Sequence, residues 1–238
     1  MKKILLATMA LACFSANAAL IQTDWKTEGD GLAFVDEETG IEWLKLTETA
    51  GMSFNELSQE MDTTYAGWEF AGYHDTLDVL EKIFVTTDIS SERDGVFFSK
   101  QYNFSSYNSD FDMFTHYFGA NVAGVKGYTY GAMTNPFTGS MSLYGGNKGK
   151  VSQGYYYNYY LNYATFNDTD ANERTGFYLT SNGGTTYSSI NNPEINENNA
   201  NSPYNAVSVS EPGSFAMLGL GALLVGFRRK LWRKSHCD

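Results

Sequence analysis

Two short apolar runs near the start of the chain are separated by a polar turn, and this pattern predicts a β-hairpin. Residues 32–35 and 41–46 are rich in aliphatic and aromatic side chains, and Glu38-Thr39-Gly40 lies between them. Apolar runs of this length on either side of a glycine-containing turn are typical of paired strands. We therefore expect the domain to begin with an antiparallel strand pair.

The apolar spacing then changes to the period of a helix. Ser53 and Glu56 form the Ser-x-x-Glu pattern of a capping box, and Phe54, Leu57 and Met61 follow at helical spacing. A second helix is predicted from about Asp75. A short third helix is predicted over residues 110–118. From Val122 onward the pattern favours strands and glycine-rich loops.

A tyrosine-rich run is the most distinctive feature of this later region. Residues 155–163 read Tyr-Tyr-Tyr-Asn-Tyr-Tyr-Leu-Asn-Tyr, which places tyrosines on both faces of any strand. Rings can stack on sugars and amides can bond hydroxyls, although tyrosine is also simply a good strand former. The candidate glycan-facing residues are Tyr155, Tyr156, Tyr157, Tyr159 and Tyr160.

Longer apolar runs lie at the two ends of the chain. Lys2-Lys3, an apolar run from residue 4 to 14 and Ala16-Asn17-Ala18 have the order of a secretory signal peptide, residues 1–18. Residues 213–227 are uninterrupted by charge and span about 22 Å as a helix, against about 30 Å of hydrocarbon. A buried core helix is the alternative, but the purely basic end favours a transmembrane helix. This basic stop cluster is Arg228, Arg229, Lys230, Arg233 and Lys234.

The tail, residues 209–238, resembles the PEP-CTERM sorting signal. The matching features are the motif Ser210-Glu211-Pro212, the apolar span and the basic end, in that order. Ser210 departs from the pattern, since the family usually has proline there. The resemblance implies an exosortase-type processing enzyme as partner, in Gram-negative cells that build exopolysaccharide. It also implies anchoring in the inner membrane during transit, followed by the cell surface or the extracellular space.

Charge and cysteine content restrict the function of the exported part. Residues 19–212 carry nine Lys and Arg against 26 Asp and Glu, a net charge of −17. This charge repels phosphate backbones, so we expect no nucleic-acid partner, and it favours neutral or cationic glycans over acidic ones. The two cysteines, Cys13 and Cys237, lie in the end segments, so no disulfide framework is expected.

Residues 31–84 resemble the Lcl C-terminal domain family. The matching segments are Thr39-Gly40-Ile41-Glu42-Trp43-Leu44, the Ser53 helix and Ala66-Gly67-Trp68, with Gly176-Phe177-Tyr178-Leu179-Thr180 where the family has a closing strand. The resemblance implies an α+β, C-type lectin-like single domain with a hairpin, two helices, a long loop region and further strands. The disulfides and calcium motifs of many such domains are absent from this sequence.

These patterns divide the chain into four parts: the signal peptide, an exported domain over residues 19–190, an asparagine-rich stalk over 191–208, and the sorting tail. No catalytic, cofactor-binding or metal-ligating set emerges from the residue spacing. We expect a cell-surface or matrix protein that acts as a binding or structural component linked to exopolysaccharide. The alternative is an extracellular hydrolase acting on polysaccharide.

Overall fold

The computed structural model describes residues 19–89, 98–105, 109–120, 126–134, 141–151, 154–161 and 165–205. At residues 98–105, 109, 126–128, 148–151, 154–161 and 165–166 the description covers the backbone alone. Helices and two β-sheets combine in this part of the chain, which confirms the α+β class.

The first sheet is built on the predicted hairpin. Within the described residues it has five strands in the order β1-β2-β3-β11-β4, and every pairing is antiparallel. The turn closes at Gly40, whose φ of 64° lies in the left-handed region that favours glycine. The strands are β1 Leu20–Thr23, β2 Ala33–Asp36, β3 Ile41–Leu44, β4 Glu69–Phe70 and β11 Leu179–Ser181.

The predicted helices are confirmed with small changes at their ends. α1 spans Phe54–Glu60 and is capped by Ser53, whose side chain accepts from the Glu56 N–H while the Glu56 carboxylate accepts from the Ser53 N–H. α2 spans Tyr73–Ile83 and begins two residues before the predicted start. α3 spans Ser109–Phe118. A five-residue helix, α4, follows much later at Tyr187–Asn191.

The second sheet contains the tyrosine-rich run. Among the described residues its strand order is β10-β6-β7-β8-β5, with β9 paired to β7. The pairing of β10 with β6 is parallel, and the others are antiparallel. The strands are β5 Phe98–Ser105, β6 Lys126–Thr134, β7 Met141–Val151, β8 Gly154–Leu161, β9 Thr165–Phe166 and β10 Thr175–Phe177.

The hairpin buries both of its faces. Phe34 and Trp43, which are paired across β2 and β3, lie in a cluster with apolar side chains of α2 and α3. Ala33 and Leu44, paired on the opposite face, lie in a second cluster with Leu57 of α1. Burial on both sides explains why residues 32–35 form an unbroken apolar run instead of the alternation of a half-exposed strand.

Trp43 and Trp68 are both buried. This burial is expected from the sequence, because Trp43 lies in a strand and Trp68 follows a glycine, each beside apolar residues. Trp43 is 1% exposed and lies 6.3 Å from Phe34 and 6.2 Å from Phe118, measured between ring centroids. Trp68 is 5% exposed and meets Trp25 edge to face at 6.0 Å. Each therefore contributes to the aromatic core of the domain.

The asparagine-rich segment differs from the expected stalk as far as it is described, to Asn205. Its first part forms α4 and a 3-10 helix at Pro193–Asn196, and the Asn196 side chain is fully buried. The Asn196 amide donates to the Gly40 carbonyl at 2.8 Å, and the Asn198 amide donates to the Glu37 carbonyl at 2.6 Å. Asparagine here satisfies the backbone of the β2–β3 turn, so residues 191–205 pack on the domain.

Replacing Trp43 tests the importance of the first cluster. Trp43→Ala should cost about 3–5 kcal/mol, because truncating a buried aromatic leaves a cavity. That loss is a large part of the roughly 5–15 kcal/mol that stabilises a typical domain, so we expect an unfolded or insoluble protein in denaturant and thermal melts. Ile190→Ala is the control, since that side chain is 59% exposed. A Trp43→Ala variant that melts cooperatively at an unchanged midpoint would contradict the core position.

Candidate functional site

The residues predicted for sorting lie outside the described part of the chain. Ser210, Glu211, Pro212 and the basic stop cluster all follow Asn205. The helices between residues 19 and 205 that the structure describes are all too short or too polar to cross a membrane. The predicted span, residues 213–227, also lies beyond those residues.

The five candidate tyrosines lie on β8, which confirms a strand over this run. β8 has β7 on one side and β5 on the other, so it is an inner strand of the second sheet. Because successive strand positions alternate between faces, Tyr155, Tyr157 and Tyr159 share one face and Tyr156 and Tyr160 share the other. Contact with a glycan remains a prediction at these positions.

An acidic groove lies between the β2–β3 turn and α2. Its volume is about 440 Å³, and it is open to solvent. Helical spacing places Asp78, Glu81 and Lys82 on one face of α2, because positions i, i+3 and i+4 are neighbours. The lining residues are Glu38, Thr39, Asp78, Glu81 and Lys82.

Asp36 organises the turn side of the groove. It ends β2, and its carboxylate accepts from the Glu38 N–H at 3.2 Å and from the Thr39 hydroxyl at 3.0 Å. Aspartate commonly stabilises turns by accepting from backbone groups two or three residues further on. The Asp36 side chain is 3% exposed, so its carboxylate requires a charged partner.

Lys82 is that partner. Its ammonium group donates to the two Asp36 carboxylate oxygens at 2.8 and 2.6 Å and forms an ion pair with Glu38 Oε2 at 2.8 Å. Partial burial acts to lower the pKa of Lys82, but the hydrogen bonds to Asp36 and Glu38 outweigh it and raise the pKa overall. The lysine therefore stays charged at neutral pH and joins α2 to the hairpin.

The carboxylates of this arrangement can accept hydrogen bonds from hydroxyl or cationic groups. Lys82 and Glu38 form an ion pair in the wall of the groove, while Asp78 and Glu81 add negative charge along α2. In the described residues, no group of three or more His, Cys, Asp or Glu side chains is placed to hold a metal ion.

A second polar site lies behind β3 and is buried. Glu42 is fully buried, and its Oε1 accepts from the Thr186 hydroxyl, while Oε2 has no hydrogen-bond partner among the described residues. Thr186 caps α4 in a reciprocal pair with Ser189. Burial is the main cause that raises the pKa of Glu42, and the hydroxyls of Thr186 and Ser189 oppose it. The contacts are those of a structural link between β3 and α4.

Sequence reasoning missed both sites. Asp36 and Lys82 are 46 residues apart, and the ion pair exists only because α2 packs beside the hairpin. Glu42 alternates with Ile41 and Trp43, which suggests a solvent-facing position. The Thr186 hydroxyl that bonds to it lies 144 residues further along the chain.

Comparison with known proteins identifies the sorting motif in the tail. The family model described as the PEP-CTERM protein-sorting motif matches residues 208–230. This match confirms the predicted sorting motif and indicates export, membrane transit to the cell surface and processing by an exosortase, a membrane enzyme. No curated protein and no solved structure matches the chain.

Removing the Lys82 ammonium tests the ion pair that forms the groove. Lys82→Met should cost about 2 kcal/mol, less than the 3–5 kcal/mol typical of a broken buried pair because Lys82 is partly exposed. The stabilisation is present at neutral pH and is lost as the pH rises through the raised pKa of Lys82. Denaturant unfolding at pH 7 measures the loss. Glu38→Gln, which removes the exposed partner, should change stability by about 0.5 kcal/mol or less; equal losses in the two variants would contradict the role of Asp36.

Glu42→Gln tests the buried carboxyl. A carboxyl whose pKa is raised on folding contributes stability below its unfolded pKa and loses it as the pH rises through the folded pKa. The parent protein should therefore lose stability from pH 4 to pH 8 relative to Glu42→Gln. Melting midpoints across this range measure the difference, with the exposed Glu28→Gln as control. A constant difference between parent and Glu42→Gln would show that the pKa of Glu42 is not raised.

Proposed function

We propose that the protein is an exported component of the cell surface or extracellular matrix of a Gram-negative cell, delivered by an exosortase that acts on its tail. The single observation that carries the proposal is the sorting motif at residues 208–230. Within it, Glu211-Pro212 precedes the apolar span, and the basic stop cluster begins at Arg228.

The two ends of the chain have successive roles in this proposal. Residues 1–18 direct the chain across the inner membrane as a signal peptide and are removed. Residues 213–227 then hold it in the membrane, while Arg228, Arg229 and Lys230 remain on the cytoplasmic side, as positively charged flanks do. Cleavage near Glu211-Pro212 releases the domain outward.

The domain itself acts as a binding or structural component linked to exopolysaccharide. Two features support this role: the tyrosine-rich β8 and an acidic groove whose carboxylates can accept hydrogen bonds from hydroxyl groups. The order of β2, β3, α1, α2 and the returning β11 is the order expected from the Lcl resemblance, but a second sheet lies where that resemblance implies a long loop region. No solved structure of the expected C-type lectin-like fold matches the chain. Fold and function are separable, so the agreement in element order supports the architecture more than the ligand.

The hydrolase alternative gains no specific support from the described residues. Glycoside hydrolysis uses two carboxyl groups held on either side of the scissile bond. Glu42 has a raised pKa, but it is fully buried against Thr186. In the groove, Glu38 is bound to Lys82. A binding role is therefore proposed.

Deleting the tail tests delivery. A chain lacking residues 209–238 should appear freely in the periplasm or medium, because the apolar span that holds it is gone. Cell fractionation and immunoblotting measure the distribution. The double variant Glu211→Ala/Pro212→Ala is the matched control: it keeps the span, so it should stay uncut in the membrane. If the truncated chain stays as firmly membrane-bound as the uncut double variant, the anchor assignment is wrong.

A further inference from the structure

The polar site behind β3 contains two buried acceptor atoms. Among the residues that the structure describes, Glu42 Oε2 and Asn196 Oδ1 have no hydrogen-bond partner, and both residues are 0% exposed. The orientation of the Asn196 amide is fixed, because its nitrogen donates to the Gly40 carbonyl at 2.8 Å. A buried acceptor that is left unsatisfied costs stability, and a charged one costs more. The two oxygens are therefore suited to a ligand that carries positive charge.

Three contacts bring these two oxygens to the same loop, the one that follows β11. Ser181 lies directly opposite Glu42 in the β11–β3 pair, and its hydroxyl accepts from the Gly183 N–H at 3.1 Å. A Cβ built on Gly183 would lie 2.8 Å from Asn196 Oδ1. The loop ends at Thr186, whose hydroxyl donates to Glu42 Oε1. The loop therefore begins and ends beside Glu42 and contacts Asn196 in between.

Hydroxyl groups line the rest of the site. Burial raises the pKa of Glu42, and the hydroxyls of Thr186, Ser189 and Ser181 oppose the rise, so all three lie near the carboxylate. Burial and the charge of Glu42 both raise the pKa of the Tyr204 hydroxyl, which places this group near the carboxylate as well. In the described part of the chain, no lysine or arginine is paired with Glu42. The site thus offers several oxygen atoms and one negative charge.

We propose that this site binds a small monovalent cation such as Na⁺, with Glu42 and Asn196 as its main ligands. Carboxylate, carbonyl and hydroxyl oxygens are the ligands that hard cations prefer. One carboxylate neutralises one positive charge, whereas a divalent ion would leave an uncompensated charge in the interior, which is costly. Calcium loops accordingly supply several carboxylates. The site is separate from the groove and from β8, so it is independent of the proposed binding role.

A bound cation would fasten the asparagine-rich segment to the hairpin. Asn196 and Tyr204 belong to that segment and Glu42 belongs to β3, so the ion joins parts that are far apart in the chain. Gly184 is exposed, and a Cβ built on it would lie 3.4 Å from the Tyr204 hydroxyl. This edge of the site is therefore next to solvent, as the entry of an ion requires.

The test measures the melting midpoint of the full chain in detergent and slightly alkaline buffer, with sodium chloride or choline chloride at equal ionic strength. Sodium at roughly tenfold above its dissociation constant should raise the midpoint by about 3–6 °C, because it binds only the folded chain. Glu42→Gln keeps the shape of the side chain but removes its charge, so its midpoints in the two salts should agree within about 1 °C. Glu28→Gln, at an exposed position, is the matched control and should respond like the parent.

Three results would overturn the proposal. Equal responses of the parent and Glu42→Gln would show that sodium acts elsewhere, and no response of the parent would show that the ion does not bind. Stabilisation of the parent by calcium chloride but not by sodium chloride would show a divalent site. If Glu42→Gln does not melt cooperatively, sodium NMR on the folded parent replaces the comparison. The folded parent should then broaden the sodium line more than the urea-unfolded parent, and Ser181→Ala should reduce the excess; equal line widths would contradict the site.

Discussion

One buried tyrosine holds the two sheets of this domain together. Tyr178 lies between β10 of the second sheet and β11 of the first, so the chain crosses from one sheet to the other at this residue. Its N–H donates to the Ala132 carbonyl on β6, its carbonyl accepts from the Ala71 N–H beside β4, and its hydroxyl donates to the Tyr144 carbonyl on β7. A buried polar group is tolerated only when it is hydrogen-bonded, and here every polar group of Tyr178 is satisfied by a different element. Burial also raises the pKa of the Tyr178 hydroxyl well above its usual value, so it remains a donor.

The close packing around this crossing requires glycine at two positions, because a side chain there would have no room. A Cβ at Gly131 would collide with the Tyr178 ring, and one at Gly176 would collide with the Leu46 carbonyl. The backbone therefore approaches closely on both sides of the crossing, as glycine in strands often permits. The aromatic core forms around the same point, since Phe118 meets Tyr178 edge to face at 5.1 Å between ring centroids. A domain without disulfides depends on such packing for its stability.

Local sequence signals predicted the helices and the hairpin. The other strand pairings and the tertiary contacts depend on residues far apart in the chain and were not predicted. The Ser53 capping box and the apolar spacing of α2 and α3 involve residues within a turn or two of each other, so the sequence contains them directly. The splitting of residues 175–181 into two strands does not follow from local pattern, because it depends on where β6 and β3 already lie. The same reason applies to the Asp36–Lys82 pair of the groove and to the asparagines of residues 191–205, whose composition is typical of a linker but whose amides find partners on the hairpin turn.

The net charge of the domain does not show how its charged residues are distributed. A net charge of −17 over residues 19–212 predicts repulsion of any polyanion at long range. The fold instead places the two signs of charge in different elements. The carboxylates of Glu38, Asp78 and Glu81 border the groove at α2, whereas the charged residues of β5 to β8 are all lysines. Because screening limits each field to roughly a nanometre, the sign of the charge near each region depends on the residues of that region. The net charge of an acidic domain is therefore a poor guide to the charge that lies near any one strand or turn.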